Sequence, residues 1–169
     1  ALLAADRFSV AAPDEVLRLS GQAVPTAGAV PGAPGAPTAV EGPVTDATVG
    51  PVQAVLSQCQ AAGSVVTCAF TFTSATVDAS LSVNNWESEA RDEGGNAYRL
   101  NEFTFGSENG SEWRTVLVAR ESTPGRLMIT GVPITMTRLT RVSLHTGIVI
   151  GDRSLDNQTM TFRNVPIAR

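Results

Sequence analysis

Two cysteines are the residues of this chain whose spacing points most directly to covalent chemistry. Cys59 and Cys68 are the only cysteines among 169 residues, and they lie at equal distances from a Gly63-Ser64 dipeptide. Glycine at the first central position is typical of a type II′ hairpin turn. Counting outward from that turn pairs Cys59 with Cys68 on a non-hydrogen-bonded rung, where Cα atoms approach to about 4.5 Å. A disulfide tolerates that separation, so the sequence predicts a disulfide-linked hairpin.

The single histidine limits the catalytic chemistry that the chain can perform. His145 is the only imidazole, whereas a copper or zinc site of the superoxide dismutase kind needs several. Strand alternation from Leu139 places His145 on the polar face, which favours an ordinary surface residue. The sequence holds no G-x-S-x-G elbow, and lysine is absent, which excludes a Schiff base. We therefore expect no enzymatic activity.

Acidic and amide side chains cluster in two predicted turns. These residues are Asp92, Glu93 and Asn96 in the first turn and Asp152, Asp156 and Asn157 in the second. Calcium prefers such oxygen ligands, but neither cluster follows the EF-hand spacing. Turns stabilised by their own Asx side chains are the favoured interpretation. We predict no cofactor, with calcium as the one metal that these clusters leave open.

The two tryptophans, Trp86 and Trp113, have the side chains best suited to stacking on a sugar ring. In a sheet protein two tryptophans more often fill the core or its rim, and this is the interpretation we favour. A platform for carbohydrate is the alternative.

The net charge argues against nucleic-acid binding. The N-terminal residues and the predicted disulfide indicate an exported protein. The net charge is −4, whereas nucleic-acid binding needs a cationic field. The sequence contains no run of about 18 apolar residues, which is the length that a helix needs to span a bilayer. Residues 1–5 are expected to be a mature terminus left by signal-peptide removal. Since disulfides persist mainly outside the cytosol, we expect the cell surface, the periplasm or the outer membrane.

Residues 1–51 are predicted to form an extended segment without its own core. Residues 22–51 are rich in proline and glycine, which disfavours helices and central strands. Residues 15–19 are a candidate short strand for a neighbour's sheet edge. Whether the segment packs on its own domain or on another subunit is left open. The residues expected to contact a partner are Val16, Leu17, Leu19, Val30, Pro31 and Pro34.

Residues 52–169 are predicted to form an all-β domain. Short runs of alternating apolar and polar residues are separated by turn residues, which is the pattern of strands with one buried face. The predicted strands are 53–59, 65–73, 79–84, 98–105, 112–120, 126–132, 138–150 and 158–165. About eight short strands at this spacing favour an antiparallel sandwich of two sheets, because a single sheet would leave one apolar face in water.

Residues 52–168 resemble immunoglobulin-like domains of secreted and cell-envelope bacterial proteins, most of unknown function. The matching pieces are the cysteine hairpin with residues 69–73, then residues 90–98, 131–133 and 160–166. The resemblance implies an immunoglobulin-like β-sandwich and carries no catalytic motif.

Taken together, these features predict a non-enzymatic accessory subunit of a bacterial cell-surface (S-layer) or outer-membrane assembly. Its partners are expected to be other envelope proteins, through which it would associate peripherally with a membrane. The alternative is an extracellular module that binds carbohydrate or calcium.

Overall fold

The computed structural model of the chain describes residues 42–106 and 113–169. These residues form nine β-strands and no helix, so the all-β prediction is confirmed for them. The strands are β1 (Asp46–Val49), β2 (Val52–Ala62), β3 (Val65–Ser74), β4 (Ala79–Arg91), β5 (Ala97–Phe105), β6 (Arg114–Leu117), β7 (Ser122–Thr130), β8 (Arg138–Ile150) and β9 (Arg153–Ala168). The six residues predicted to contact a partner, Val16 to Pro34, lie outside the described residues.

Seven of these strands close into a barrel, which corrects the predicted immunoglobulin-like sandwich. Strands pair around the barrel in the order β2, β3, β7, β5, β4, β8 and β9. The barrel closes where β9 pairs in parallel with β2, joining Cys59 to Ile167 and Gln60 to Ala168. Alternation in the sequence shows only that one face of each strand is buried, and a closed barrel satisfies this as well as two separate sheets do.

Two short strands lie outside the ring of seven. β1 pairs with β2 alone among the named strands, and an isolated bridge joins the nearby Val44 to Arg163 of β9. β6 pairs with the first part of β4, whereas the last three residues of β4 pair with β5. β1 therefore lies where β2 and β9 are no longer paired with each other, and β6 lies where β4 and β5 are no longer paired.

The cysteine hairpin forms in the predicted register. Gly63 has φ +62°, as the first central residue of a type II′ turn requires. β2 and β3 pair Ala62 with Val65 and, three rungs later, Cys59 with Cys68. The two cysteines form a disulfide with a Cα–Cα distance of 4.0 Å, which confirms the predicted bond.

The core contains a cluster of phenylalanine rings. Five of the chain's six phenylalanines belong to it: Phe70, Phe72, Phe103, Phe105 and Phe162. Gly125 of β7 makes room for them, because a Cβ there would lie 2.7 Å from Phe72 Cε2 and 3.2 Å from Phe103 Cζ. The phenylalanine rings therefore pack against the backbone of this inward-facing glycine, where any larger residue would collide with them.

No helix formed by the described residues is long and apolar enough to cross a membrane.

Candidate functional site

A wide bulge in β4 displays the most exposed large hydrophobic side chain of the described residues. The pairing of β4 with β8 shifts between Asn84, opposite His145, and Glu89, opposite Ser143. Four residues of β4 therefore face one residue of β8. We call residues 84–88 the Trp86 bulge. Trp86 is 79% exposed on it, and bulges commonly re-aim a side chain in this way.

Hydrogen bonds centred on Asn84 hold the Trp86 bulge in one conformation. The Trp86 backbone N–H donates to Asn84 Oδ1 at 3.0 Å, and Asn84 Nδ2 donates to Glu87 Oε2 at 3.0 Å. The buried Ser88 hydroxyl donates to the Asn84 carbonyl at 2.5 Å and accepts from the His145 backbone N–H at 2.8 Å. The bulge is thus bonded both internally and to β8, so Trp86 is displayed by an ordered backbone.

His145 lies between a carboxylate and a hydroxyl. Its Nδ1 is 3.6 Å from Glu87 Oε2, and its Nε2 is 3.3 Å from Thr159 Oγ1. Nδ1 is buried and has no hydrogen-bond partner among the described residues. The order carboxylate, imidazole, hydroxyl is that of a hydrolase triad, but 3.6 Å is longer than a hydrogen bond. The expectation of no enzymatic activity stays a prediction.

Glu89 fixes the far side of the bulge through two arginines. Its Oε1 accepts from Arg91 Nε at 2.7 Å and from Arg141 Nη2 at 2.6 Å. The bond from Arg91 is the main reason that the pKa of Glu89 lies below its ordinary value, with the bond from Arg141 acting in the same direction and partial burial opposing both. The carboxylate stays ionised at neutral pH and binds the two guanidinium groups next to the bulge.

Replacing Glu89 by glutamine is expected to remove a small, pH-dependent part of the stability. A carboxylate whose folded pKa is lowered stabilises the fold above its ordinary pKa of 4.5, and this stabilisation is lost as the pH falls through the folded pKa. Thermal unfolding from pH 7 to pH 3 should show Glu89→Gln less stable at neutral pH, by under about 1 kcal/mol, and the difference from wild type should shrink as the pH falls below 4.5. Glu102→Gln is the control. A difference that persists unchanged at pH 3 would contradict the assignment.

The two acidic turns considered for calcium lie at opposite ends of the β4–β8 ladder. Pairing of Ser80 with Val149 and of Arg91 with Arg141 places residues 92–96 at one end and Asp152 at the other. The second turn is shorter than predicted, because Asp156 and Asn157 lie within β9. In the first turn, Asp92 accepts hydrogen bonds from the Asn96 amide groups and from the Tyr98 hydroxyl. These bonds, led by that of the Asn96 side chain, lower the pKa of Asp92, with desolvation opposing them.

Two of the remaining acidic side chains also have partners within the protein. Glu93 Oε1 accepts from Arg138 Nε at 2.9 Å, and Asp156 Oδ1 accepts from the Ser154 hydroxyl at 2.7 Å. Among the residues with described coordinates, no group of three or more His, Cys, Asp or Glu side chains is arranged to hold a metal. Asp92 is thus bonded within its own turn, as the Asx interpretation predicted, and calcium binding stays untested.

The two tryptophans occupy different environments. Trp113 is half-buried and packs at a tilt against Phe103 with ring centroids 6.0 Å apart, as expected of a residue at the core rim. Trp86 is exposed, so the core or rim interpretation is wrong for it. The run at 84–88, Asn-Asn-Trp-Glu-Ser, breaks the apolar alternation of β4, and this break was the signal in the sequence that regular pairing stops there.

Four of the exposed hydrophobic side chains gather around the start of β4. Val116 and Val149 both lie opposite Ser80, from β6 and from β8. The Ala119 backbone N–H donates to Asp78 Oδ1 at 2.8 Å, which brings the chain at residue 118 close to the chain at residue 77. We call Val77, Val116, Val118 and Val149 the valine patch; they are 39%, 64%, 44% and 42% exposed.

Comparison with known protein families, curated proteins and solved structures finds no match for this chain. The resemblance to immunoglobulin-like envelope domains therefore stays a prediction, although the sandwich that it implied is wrong.

Proposed function

We propose that the chain is a non-enzymatic accessory subunit of a bacterial cell-surface or outer-membrane assembly, in which the valine patch contacts another protein subunit. The exposure of four clustered valines is the observation that carries the proposal. Contiguous apolar patches on a protein surface mark interaction sites. Single exposed apolar residues need no such explanation, and the clustering therefore matters more than any one exposure.

The geometry of the patch suits a protein partner. Val116 and Val149 flank the small Ser80 on one rung, so two branched side chains stand on either side of a shallow gap. Valine has a restricted χ1 angle, so ordering it against a partner costs little conformational entropy. A partner surface that is apolar at its centre would bury all four side chains together.

The strand next to the patch offers a second mode of contact. β6 pairs with β4 along one edge, and within the described residues no strand ladder forms along its other edge. An unpaired edge can accept a strand from another chain through backbone hydrogen bonds. The patch and this edge adjoin each other, which supports a single protein interface there.

The disulfide supports the proposed location outside the cytosol. The bond joins buried cysteines on adjacent strands, and such bonds persist mainly in oxidising compartments. An exported, acidic barrel with an apolar patch is consistent with assembly beside other envelope proteins.

The test compares two glutamate substitutions of exposed valines in the tagged chain. Val116→Glu is expected to weaken the association with an envelope subunit that co-purifies with wild type by at least tenfold, because it would bury an unpaired carboxylate in an apolar contact, at a cost above about 1.4 kcal/mol. Val55→Glu, on the opposite side of the barrel on β2, should bind as wild type does. The measurement is quantitative pull-down from envelope extracts of the producing bacterium.

Thermal unfolding of both variants must match wild type for this comparison to be valid, and the two surface positions make this the expected result. Equal retention of the partner by Val116→Glu and Val55→Glu would rule out the valine patch as the interface.

A further inference from the structure

We infer that the Trp86 bulge is a binding site for a saccharide, with the indole of Trp86 as the stacking platform and polar side chains beside it as the hydrogen-bonding rim. This site is separate from the valine patch, and the inference goes beyond the proposed subunit contact.

The platform is an aromatic ring held in solvent by a built structure. Trp86 is 79% exposed, the highest value among the large hydrophobic side chains of the described part of the chain. Its backbone N–H is bonded to Asn84 Oδ1, and the next residue but one, Ser88, is buried and bonded to both β4 and β8. A flat indole supplies a large apolar contact area with few rotatable bonds, which suits the C–H face of a pyranose ring.

The rim beside the platform supplies both donors and acceptors. Glu87 Oε2 accepts from Asn84 Nδ2, which leaves Oε1 without a hydrogen-bond partner among the described residues. The Glu87 side chain is 54% exposed, so this oxygen can accept from a hydroxyl group. Asn84 Nδ2 carries a second N–H, and the exposed hydroxyl of Thr159 can both donate and accept. Sugar hydroxyl groups need this mixture of partners.

The surroundings of Trp86 favour a saccharide over a protein partner. Asn85 and Glu87 adjoin it along the bulge, Asn84 lies two positions before it, and His145 of β8 lies opposite Asn84; all four are polar or ionisable. Cores of protein interfaces are depleted of charged residues and enriched in clustered apolar ones. An isolated aromatic ring among hydrogen-bonding groups matches instead the alternating apolar face and hydroxyl edge of a sugar.

The expected affinity is low because the site is a surface platform and not a cleft. The backbone of Trp86 and the side chains of Asn84 and Glu87 are already ordered by hydrogen bonds of the bulge, so less conformational entropy is lost on binding. One stacked ring and a few hydrogen bonds are expected to give a Kd of about 1 mM, which corresponds to about −4.1 kcal/mol.

The test is isothermal titration calorimetry of the full chain with chitotetraose, cellotetraose and mannotetraose, each to about 10 mM, tenfold above that Kd. At least one tetrasaccharide is expected to give saturable heat. Trp86→Ala should weaken this binding at least tenfold, and Glu87→Gln should weaken it less, because glutamine keeps one oxygen acceptor. Both positions are exposed, so the variants are expected to fold as wild type does.

Val116→Glu separates this inference from the proposed subunit contact. It should bind the tetrasaccharide with unchanged affinity even if it loses the protein partner. Absence of saturable heat with all three sugars would overturn the inference, and so would binding that survives Trp86→Ala. Loss of the protein partner in Trp86→Ala, with no sugar bound by wild type, would show that the bulge is a protein contact.

Discussion

Replacing Phe103 by alanine is expected to lower the free energy of unfolding by about 3–5 kcal/mol. Phe103 is fully buried on β5 and contacts the rings of Phe70, Phe72 and Phe105 at centroid distances of 6.1, 6.0 and 4.9 Å. Removing its ring leaves a cavity that these neighbours cannot fill without leaving their own positions. Urea denaturation followed by far-ultraviolet circular dichroism measures the loss.

Two further variants show that the loss comes from the cavity. Phe103→Leu keeps most of the apolar volume and should cost clearly less than Phe103→Ala. Val149→Ala removes an apolar side chain from the surface, where substitutions usually change stability by less than about 0.5 kcal/mol. A loss below about 1 kcal/mol for Phe103→Ala would show that the ring is not packed against its three phenylalanine neighbours.

Replacing both cysteines by alanine is expected to lower the free energy of unfolding by about 3 kcal/mol. Chain entropy accounts for this estimate, because the bond closes a short loop in the unfolded chain. Both sulfur atoms also lie in the core, since Cys59 is 1% and Cys68 is 0% exposed. The melting temperature should fall by roughly 10 °C for a domain of this size.

Reduction provides the matched control for the double substitution. Wild type treated with a reductant under denaturing conditions and refolded in its presence should show a similar loss, because it lacks the bond but keeps both sulfur atoms. If thiol labelling under denaturing, non-reducing conditions modified both cysteines, the bond itself would be disproved.

Local features of the fold could be predicted from the sequence, and the overall closure could not. The hairpin register followed from one glycine and two cysteines within ten residues, so no long-range information was needed. The alternation at 65–73 fixed which side of β3 is buried. β1 was not predicted because its four residues lie between Pro43 and Pro51, in a stretch whose composition disfavours central strands.

The barrel itself depends on pairings that have no local signature. Only two pairs join β2 to β9, and only three join β4 to β5. These few hydrogen-bonded rungs decide whether two sheets remain separate or form one closed surface. A sandwich and a barrel place the same residues inside, so the buried pattern was right while the architecture was wrong.

The candidate site was visible in the sequence only as separate residues. Trp86, Glu87 and His145 each have a side chain suited to binding, but the pairing of Asn84 with His145 joins strands that are distant in sequence. The predicted strand ended at residue 84, where the alternation stops, whereas β4 continues to Arg91 after the bulge. A pattern of period two cannot distinguish the end of a strand from a wide bulge within it.

The parallel contact between Cys59 and Ile167 has a consequence for how the protein folds. Its two partners lie far apart in sequence, so the contact order is high, and such topologies fold in milliseconds to seconds. Until β9 has been added, β8 and the part of β2 beyond its pairing with β1 keep unpaired edges, which are prone to aggregation. For the exported subunit that we propose, late closure of the barrel would keep the chain transport-competent for longer, provided that a chaperone covers those edges.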